Sequence, residues 1–215
     1  MKQLLRYLSW AWGTSWPLYA ATVLATNVIG ATAVATFLRF LIPLPAAREL
    51  TSPDTTIATL YIIYFGVAVL AGIAMTLYFF APVLRWQRTP KAYDPNMVRD
   101  LVLRIPLLQT VTGIVLWAIG VVLFTVVACR HSTEWGITVA VTATLGGMMV
   151  SLMTYMEAER LVRPVAAKAL AKGATDHSRL SPLSHRLMTT WALTSAVPVL
   201  GMVLLLFAAA TDFYP

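Results

Sequence analysis

The side chains that most often do chemistry in proteins are few in this sequence and lie far apart. Its histidines are His131, His177 and His185, and no two of them flank a glutamate at the i, i+4 spacing of a helical zinc site. His177 and His185 lie in a polar loop, where solvated histidines are common. Ser151 and Ser195 have no histidine and aspartate placed to activate them as nucleophiles. The residues indicate no active site, and we expect no catalytic, cofactor-binding or metal-binding residue in this chain.

Polar residues inside apolar stretches are better functional candidates, because a polar group in lipid is costly unless it is paired. Asn27 lies near the middle of the first apolar stretch. Its amide either bonds across a helix interface or forms a polar handle in a ligand cavity. Arg39, near the outer end of that stretch, can extend to the headgroups. Pro198 lies inside the last apolar stretch and is expected to kink its helix, as a hinge or as a tolerated irregularity. Gln109 is expected close to the cytoplasmic interface, where it needs no special partner.

Charge gathers most densely over residues 151–172. The back half of this segment is predicted to continue a helix and carries acidic and basic side chains. These are Glu157, Glu159, Arg160, Arg163, Lys168 and Lys172. We interpret the segment as the place where a transmembrane helix leaves the bilayer, followed by a cytoplasmic helical elbow over about 157–186. Glu157, Glu159, Arg160 and Arg163 are then expected on a solvated helix face rather than in a catalytic site.

Composition assigns the chain to the integral membrane proteins. Hydrophobic residues make up 59% of the 215 positions, charged residues only 12%, and the mean hydropathy is +0.74. Soluble domains carry about 25% charged residues, so this chain has roughly half the charge needed to coat a globular surface. The net charge of +7 is better explained by cytoplasmic loops than by nucleic acid, which we do not expect as a partner. A single cysteine, Cys129, excludes an intrachain disulfide.

The predicted fold is all-α, a polytopic transmembrane helical bundle with five spans. Each predicted span is long enough for a hydrocarbon core that needs about 20 residues. The spans are about 17–42, 57–84, 106–129, 135–156 and 187–210. Pro17 and Pro106 are placed in first helical turns, which tolerate proline. Residues 1–16, with three tryptophans and two cations, are predicted to lie along the interface. Gly146 and Gly147 predict close contact between helices.

The distribution of basic residues orients the spans. Thirteen of the 16 lysines and arginines lie before the first span, between the second and third, or between the fourth and fifth. Loops enriched in lysine and arginine remain cytoplasmic. We therefore predict a multi-pass protein of the plasma (inner) membrane with its N-terminus in the cytoplasm. Its loops at 43–56 and 130–134, and its C-terminal end, are predicted to lie outside.

Several stretches resemble a known family. They are ATNVIGATAVATFLRFLIPLP from Ala25, RIPLLQTVTGIVLWAIGVVLF from Arg104, ERLVRPVAAKALAKG from Glu159 and RLMTTWALTSAVPVLGMVLLL from Arg186. In this order they resemble the membrane domain of mycobacterial class III adenylate cyclases. Members of that family have six transmembrane helices, a HAMP linker and a C-terminal cyclase domain. The charged segment that begins at Glu159 is the most specific part of the resemblance.

The resemblance implies a role in cyclic AMP signalling for a domain that anchors or senses, truncated after the fifth helix. It implies a homodimer through the helical bundle, membrane lipids as surroundings, and a lipid or small-molecule stimulus. The sixth helix, the HAMP linker and the cyclase domain, which would use Mg or Mn with ATP, have no counterpart in these residues. No cofactor is expected in the chain itself. Two alternatives are a small transporter or permease-like subunit and a purely structural anchor. A deep polar cavity would favour the transporter, and a dry bundle packed on small residues would favour the anchor.

Overall fold

The structure of the chain is a computed structural model. The described residues are 16–41, 55–89, 95–170, 187–188 and 191–210. The interfacial helix predicted for residues 1–16 therefore lies outside the described residues except for Trp16. The main elements are α1 (Trp16–Thr36), a π-helical turn (Phe37–Leu41), α2 (Thr55–Arg88), α3 (Pro95–Cys129), α4 (Thr133–Leu170), a second π-helical turn (Ala192–Ala196) and α5 (Val197–Ala210).

Helices account for nearly all of the described residues, and no strand occurs among them. Four helices are long and apolar enough to cross a membrane. They cover Trp16–Arg39, Thr59–Arg88, Asp100–Cys129 and Thr133–Arg163. The predicted helical membrane bundle is confirmed at this level. The fifth span, the inside position of the N-terminus and the plasma membrane location stay predictions.

The prediction that Pro106 lies in a first helical turn is wrong. α3 begins at Pro95, and Pro106 lies inside the helix. The preceding turns are stabilised by packing, because Val98, Val102 and Ile105 are each at most 2% exposed. A proline inside a helix removes one backbone hydrogen bond, and the burial of these three side chains offsets that loss. The second proline of a predicted first turn, Pro17, does lie in the first turn of α1.

The helix predicted to continue through the charged segment is confirmed. α4 has 38 residues and is unbroken from Thr133 to Leu170. At 1.5 Å per residue it is about 57 Å long, whereas the hydrocarbon core is about 30 Å thick. Its second half therefore extends beyond the apolar layer. The remainder of the predicted elbow, residues 171–186, lies outside the described residues.

Glycines bring α4 close to two other helices, as predicted for Gly146 and Gly147. A Cβ on Gly146 would clash with Val34 of α1, and a Cβ on Gly147 would lie 3.0 Å from Trp117 of α3. Gly30 of α1 likewise faces Val150 of α4 at a distance that leaves no space for a Cβ. Small residues at helix contacts allow the backbones to approach in a membrane, where packing replaces the hydrophobic effect. α4 is thus the central helix on which α1 and α3 pack.

The densest packing lies at one end of the bundle, around the start of α1. Tyr19 is 1% exposed, and its ring centroid is 4.7 Å from that of Phe80 on α2. The core there combines residues of α1, α2, α3 and α4, among them Tyr19, Phe80, Val83, Trp86, Val98, Val102, Ile105, Ala158, Val162 and Val165. Further along, α2 exposes Ile62, Val67 and Leu70, which are each at least 60% exposed. An exposed apolar face of this kind is appropriate for contact with lipid.

A π-helical turn precedes Pro198. The turn covers Ala192–Ala196, and α5 begins at Val197. Because proline lacks a backbone N–H, a regular α-helical ladder cannot continue across it, and local π geometry is one way in which a membrane helix adjusts. The kink expected at Pro198 itself stays a prediction. A hinge motion there stays a prediction.

Candidate functional site

Asn27 is the hub of a polar cluster that connects three helices. Its Nδ2 donates to the backbone oxygen of Val23 at 2.9 Å within α1, and lies 3.4 Å from the Thr154 Oγ1 of α4. Its Oδ1 accepts a hydrogen bond of 3.2 Å from the Trp117 indole N–H of α3. The interpretation that Asn27 bonds across a helix interface is confirmed. Because both ends of the amide are used, its orientation is fixed by α3 and α4 together.

Glu157 extends this cluster along α4. The Thr26 hydroxyl of α1 donates to Glu157 Oε2 at 2.5 Å, and Thr26 is only 9% exposed. The prediction that Glu157 lies on a solvated helix face is wrong. Thr154 and Glu157 are three positions apart and so lie on the same side of α4, which is the side that faces α1. A hydrogen bond from a buried hydroxyl holds a carboxylate in a defined orientation, which the solvent around a surface charge does not do.

Arg160 and Arg163 follow the prediction more closely. Arg163 and Glu159 form an i, i+4 ion pair with an N–O distance of 3.3 Å. Arg163 and Arg160 are exposed. Such a pair contributes little to stability, about 0 to 1 kcal/mol. Among the described charged residues of the segment, Glu157 therefore bonds to another helix, whereas Arg160 and Arg163 are exposed to solvent.

An apolar cavity lies beside the polar cluster, between α1, α2 and α3, with α4 at its back. Its volume is about 790 Å³, and it is half-enclosed rather than sealed. That volume falls within the usual range of ligand pockets, about 300 to 1,000 Å³. The polar or amphipathic side chains of its described lining are Asn27, Arg39, Tyr61, Tyr64, Thr76, Gln109, Thr112, Trp16, Trp117 and Trp135. The remaining lining is alanine, glycine and larger aliphatic and phenyl side chains.

Gln109 has a defined partner in this cavity. It is 5% exposed, and its Oε1 lies 3.0 Å from the hydroxyl of Thr76 on α2. The expectation that Gln109 needs no special partner is therefore wrong. The difference arises because α3 begins at Pro95, before Pro106. Gln109 therefore lies well inside the helix and within the bundle, not near the helix end.

Two of the three candidate positions line the same cavity. Asn27 and Arg39 both line it, whereas Pro198 lies on α5 and has an exposed side chain. Arg39 belongs to the π-helical turn after α1 and is exposed, and its extension to the headgroups stays a prediction. The bond across a helix interface is confirmed, whereas a role as a polar handle for a ligand stays a prediction for Asn27. It bonds across helix interfaces, and it contributes a polar group to a cavity.

The partners of Asn27 and Thr26 were not identified from the sequence. A periodic signal existed on α4, where Gly147, Ser151, Thr154 and Ala158 recur at helical spacing as small or hydroxyl side chains. The last three are each at most 6% exposed. A stripe of this kind marks a face that packs against another helix. It does not tell which helix packs there, because α1 and α3 both offer small residues.

The titratable residues form no metal centre in the part of the chain that the structure describes. No group of three or more histidine, cysteine, aspartate or glutamate side chains comes together there. His131 is exposed next to the end of α3, and His177 and His185 lie outside the described residues. Cys129 is a free, exposed thiol.

Comparison with known proteins gives similarity to uncharacterized mycobacterial proteins. One uncharacterized protein of Mycobacterium tuberculosis is 27% identical over 190 residues, which are 87% of this chain and 33% of that protein. Another is 29% identical over 119 residues, 55% of this chain and 22% of the relative. An uncharacterized protein of Mycobacterium bovis is 34% identical over 98 residues, 37% of this chain and 18% of the relative. No protein-family model and no solved structure matches the chain. The chain spans about a third or less of these relatives.

Proposed function

We propose that this chain is the membrane domain of a longer signalling protein of the class III adenylate cyclase type, with an anchoring and sensing role. Two facts support the proposal. The resemblance runs through stretches of α1, α3, α4 and the region of α5 in the order of the family. The relative matched over 190 residues has two thirds of its length outside the matched region, which is room for a linker and a catalytic domain.

The observation that carries the sensing role is the continuity of α4. The same unbroken helix holds Thr154 and Glu157, which bond to α1, and then extends to Leu170 beyond the apolar layer. A change in how α1 packs on α4 is therefore transmitted along a rigid rod. Two discrete packings of such helices are the usual basis of switching in signalling proteins.

Catalysis is assigned to the part of the longer protein outside this chain. A class III cyclase site forms between two catalytic domains, so a membrane domain that forms a homodimer would hold the two together. Mg or Mn and ATP would bind in that catalytic part. A stimulus acts only if its affinity for the two packings differs, and the residues that would distinguish them here are those of the polar cluster around Asn27.

The experiment uses the full-length M. tuberculosis relative that matches 87% of this chain. Membranes containing that protein are assayed for conversion of ATP to cyclic AMP with Mg or Mn. Its matched membrane segment is then replaced by this chain, either unaltered or carrying Asn27→Leu or Pro198→Ala. Thr22→Val is the control, because the hydrogen bond of Thr22 among the described residues lies within α1, to the Leu18 oxygen.

We expect cyclic AMP formation by the relative and by the chimera, and a change of at least about twofold in Asn27→Leu. The absence of cyclic AMP formation by the relative under both metal conditions would refute the cyclase assignment. Activity of Asn27→Leu and Pro198→Ala equal to that of Thr22→Val would refute the sensing role while leaving an anchor.

The cavity bears on the alternatives. A transporter of polar solutes needs a polar cavity among the spans, and the cavity here is lined mainly by apolar side chains. A dry anchor needs continuous packing between small residues. α1 and α4 show such packing at Gly30 and Gly146, whereas the glycines of α2, Gly66 and Gly72, have no neighbouring atom within 4 Å of a Cβ. The arrangement favours a bundle that is tightly packed on one side and able to accept an apolar ligand on the other.

A further inference from the structure

We infer that the cavity between α1, α2 and α3 binds one long-chain fatty acid, with the hydrocarbon chain along the helices and the carboxylate at Arg39. This inference deepens the proposed sensing role by naming the class of stimulus. Binding itself is independent of whether the longer protein makes cyclic AMP.

The chemistry of the lining selects an amphiphile with an anionic head. Arg39 is the one charged residue among the described residues that line the cavity. It lies at one end, after the last turn of α1, and the walls below it are apolar. A guanidinium matches a carboxylate geometrically and electrostatically. A neutral hydrocarbon would use the walls but not Arg39, and a polar solute would leave most of the lining without favourable contact.

The dimensions select a single chain. Twelve residues of helix separate Asn27 from Arg39, which corresponds to about 18 Å at 1.5 Å per residue. One leaflet of a hydrocarbon core about 30 Å thick is about 15 Å deep, and one acyl chain extends through one leaflet. A cavity of about 790 Å³ is in the range of pockets for small ligands. It therefore fits one chain better than a two-chain phospholipid.

The cavity is accessible from the side that faces lipid. Ile62 and Ile73 of α2 line it and are 69% and 40% exposed. α2 is connected to α1 by few contacts, one of which is the 3.3 Å hydrogen bond from the Tyr61 hydroxyl to the Ala31 oxygen. A fatty acid dissolved in the bilayer can enter here without crossing water. The Tyr61 hydrogen bond is a point at which α1 and α2 are in direct contact.

The lower part of the cavity touches the polar cluster. Trp117 lines the cavity and donates to Asn27, which in turn contacts Thr154 on α4. A hydrocarbon chain that packs against the Trp117 indole therefore changes the surroundings of the hydrogen bond from Trp117 to Asn27. Occupancy of the cavity is coupled by this route to the packing of α1 on α4.

Two glycines allow the cavity to be filled without disturbing the bundle. Gly113 and Gly72 line it, and a Cβ at either position meets no atom within 4 Å. Gly66 of α2 is the matched control, because a Cβ there also meets nothing within 4 Å and Gly66 does not belong to the described lining. Replacing glycine by leucine in a helix also improves helix propensity, so these variants are expected to fold.

The test measures quenching of tryptophan fluorescence in the purified full chain, held in nanodiscs, by a dibrominated C18 fatty acid. Trp16, Trp117 and Trp135 line the cavity and report a bromine atom within it. The quenching is compared for the unaltered chain, Gly113→Leu, Gly72→Leu, Gly66→Leu and Arg39→Gln. The methyl ester of the same acid and a dibrominated phosphatidylcholine are the comparison ligands, and thermal unfolding of each variant checks its fold.

We expect saturable quenching by the acid, unchanged in Gly66→Leu and weakened about tenfold or more in Gly113→Leu and Gly72→Leu, because leucine occupies the volume of the chain. Arg39→Gln is expected to weaken binding of the acid about tenfold and to leave the ester unaffected. Equal quenching in Gly113→Leu, Gly72→Leu and Gly66→Leu would overturn the site. Equal affinity for acid and ester would overturn recognition by Arg39, and saturable quenching by the phosphatidylcholine with an affinity equal to that of the acid would overturn the choice of a single-chain ligand.

Discussion

Thr26 on α1 and Glu157 on α4 are joined by a hydrogen bond of 2.5 Å, in which the threonine hydroxyl donates to carboxylate Oε2. They are 131 positions apart in the chain. Thr26 directly precedes Asn27, whose amide bonds to Thr154 and Trp117. Hydroxyl, amide, indole and carboxylate groups therefore lie near one another between three helices. Its members bond mainly to one another, as polar groups inside a membrane protein must.

Removing the Thr26 hydroxyl is expected to destabilise the bundle. Thr26→Val keeps the shape of the side chain and leaves Glu157 without this donor, so the free energy of unfolding should fall by about 1 to 2 kcal/mol. Unfolding of the purified chain is followed by circular dichroism during titration of mixed micelles with a denaturing detergent. Thr22→Val is the control, because its lost bond to the Leu18 oxygen is exposed and within one helix, and it should change stability by less than about 0.5 kcal/mol. Equal effects of the two substitutions would contradict the importance of the contact between helices.

Enlarging the glycines between α1 and α4 is expected to force the helices apart. Gly30→Val and Gly146→Val place methyl groups where Val150 and Val34 already lie, which should cost about 1 to 3 kcal/mol. Gly66→Val is the matched control, since nothing lies within 4 Å of a Cβ there. The same detergent titration measures all three. If Gly66→Val were as destabilising as the other two, the cost would come from valine in a helix and not from packing.

The native thiol provides a test of membrane orientation. Cys129 is exposed at the end of α3, and the distribution of basic residues predicts that this end faces outward. A membrane-impermeant maleimide added to intact cells should therefore label the unaltered chain. A second variant carries Cys129→Ser and Thr89→Cys. Thr89 directly follows the end of α2, is exposed and lies beside the basic residues Arg85 and Arg88. Its thiol should therefore be labelled only after the cells are opened. Labelling in the reverse pattern would place the N-terminus outside.

The membrane class and the existence of the helices follow directly from the order of the residues. Long apolar runs form helices in lipid because every backbone N–H and C=O must be bonded within its own segment. This local requirement makes four spans visible without any knowledge of packing. It also made the continuation of α4 beyond the bilayer predictable, since the residues from Glu157 to Leu170 keep a helical pattern of charge and alanine.

Boundaries were less predictable where packing outweighs a local signal. Pro106 is typical of a first helical turn, yet α3 begins at Pro95. The side chains of Val98, Val102 and Ile105 are buried against α2 and α4 in the core at that end of the bundle, and their burial stabilises three further turns. No feature of the sequence around Pro106 reveals the neighbours that make this burial possible.

The polar cluster and the cavity depend on which helices are neighbours. Asn27 was recognisable as an intramembrane polar residue from its position, but its partners Thr154 and Trp117 are 127 and 90 positions away. Glu157 resembled its charged neighbours in the chain, and only the approach of α1 through Gly30 and Gly146 brings Thr26 within bonding distance of it. Hydropathy is a property of each segment taken alone, so it determines that apolar helices form and that they are long enough to cross a membrane. The rotation and pairing of those helices arise from contacts between side chains far apart in the chain, and these contacts place Asn27, Glu157 and Arg39 in their roles.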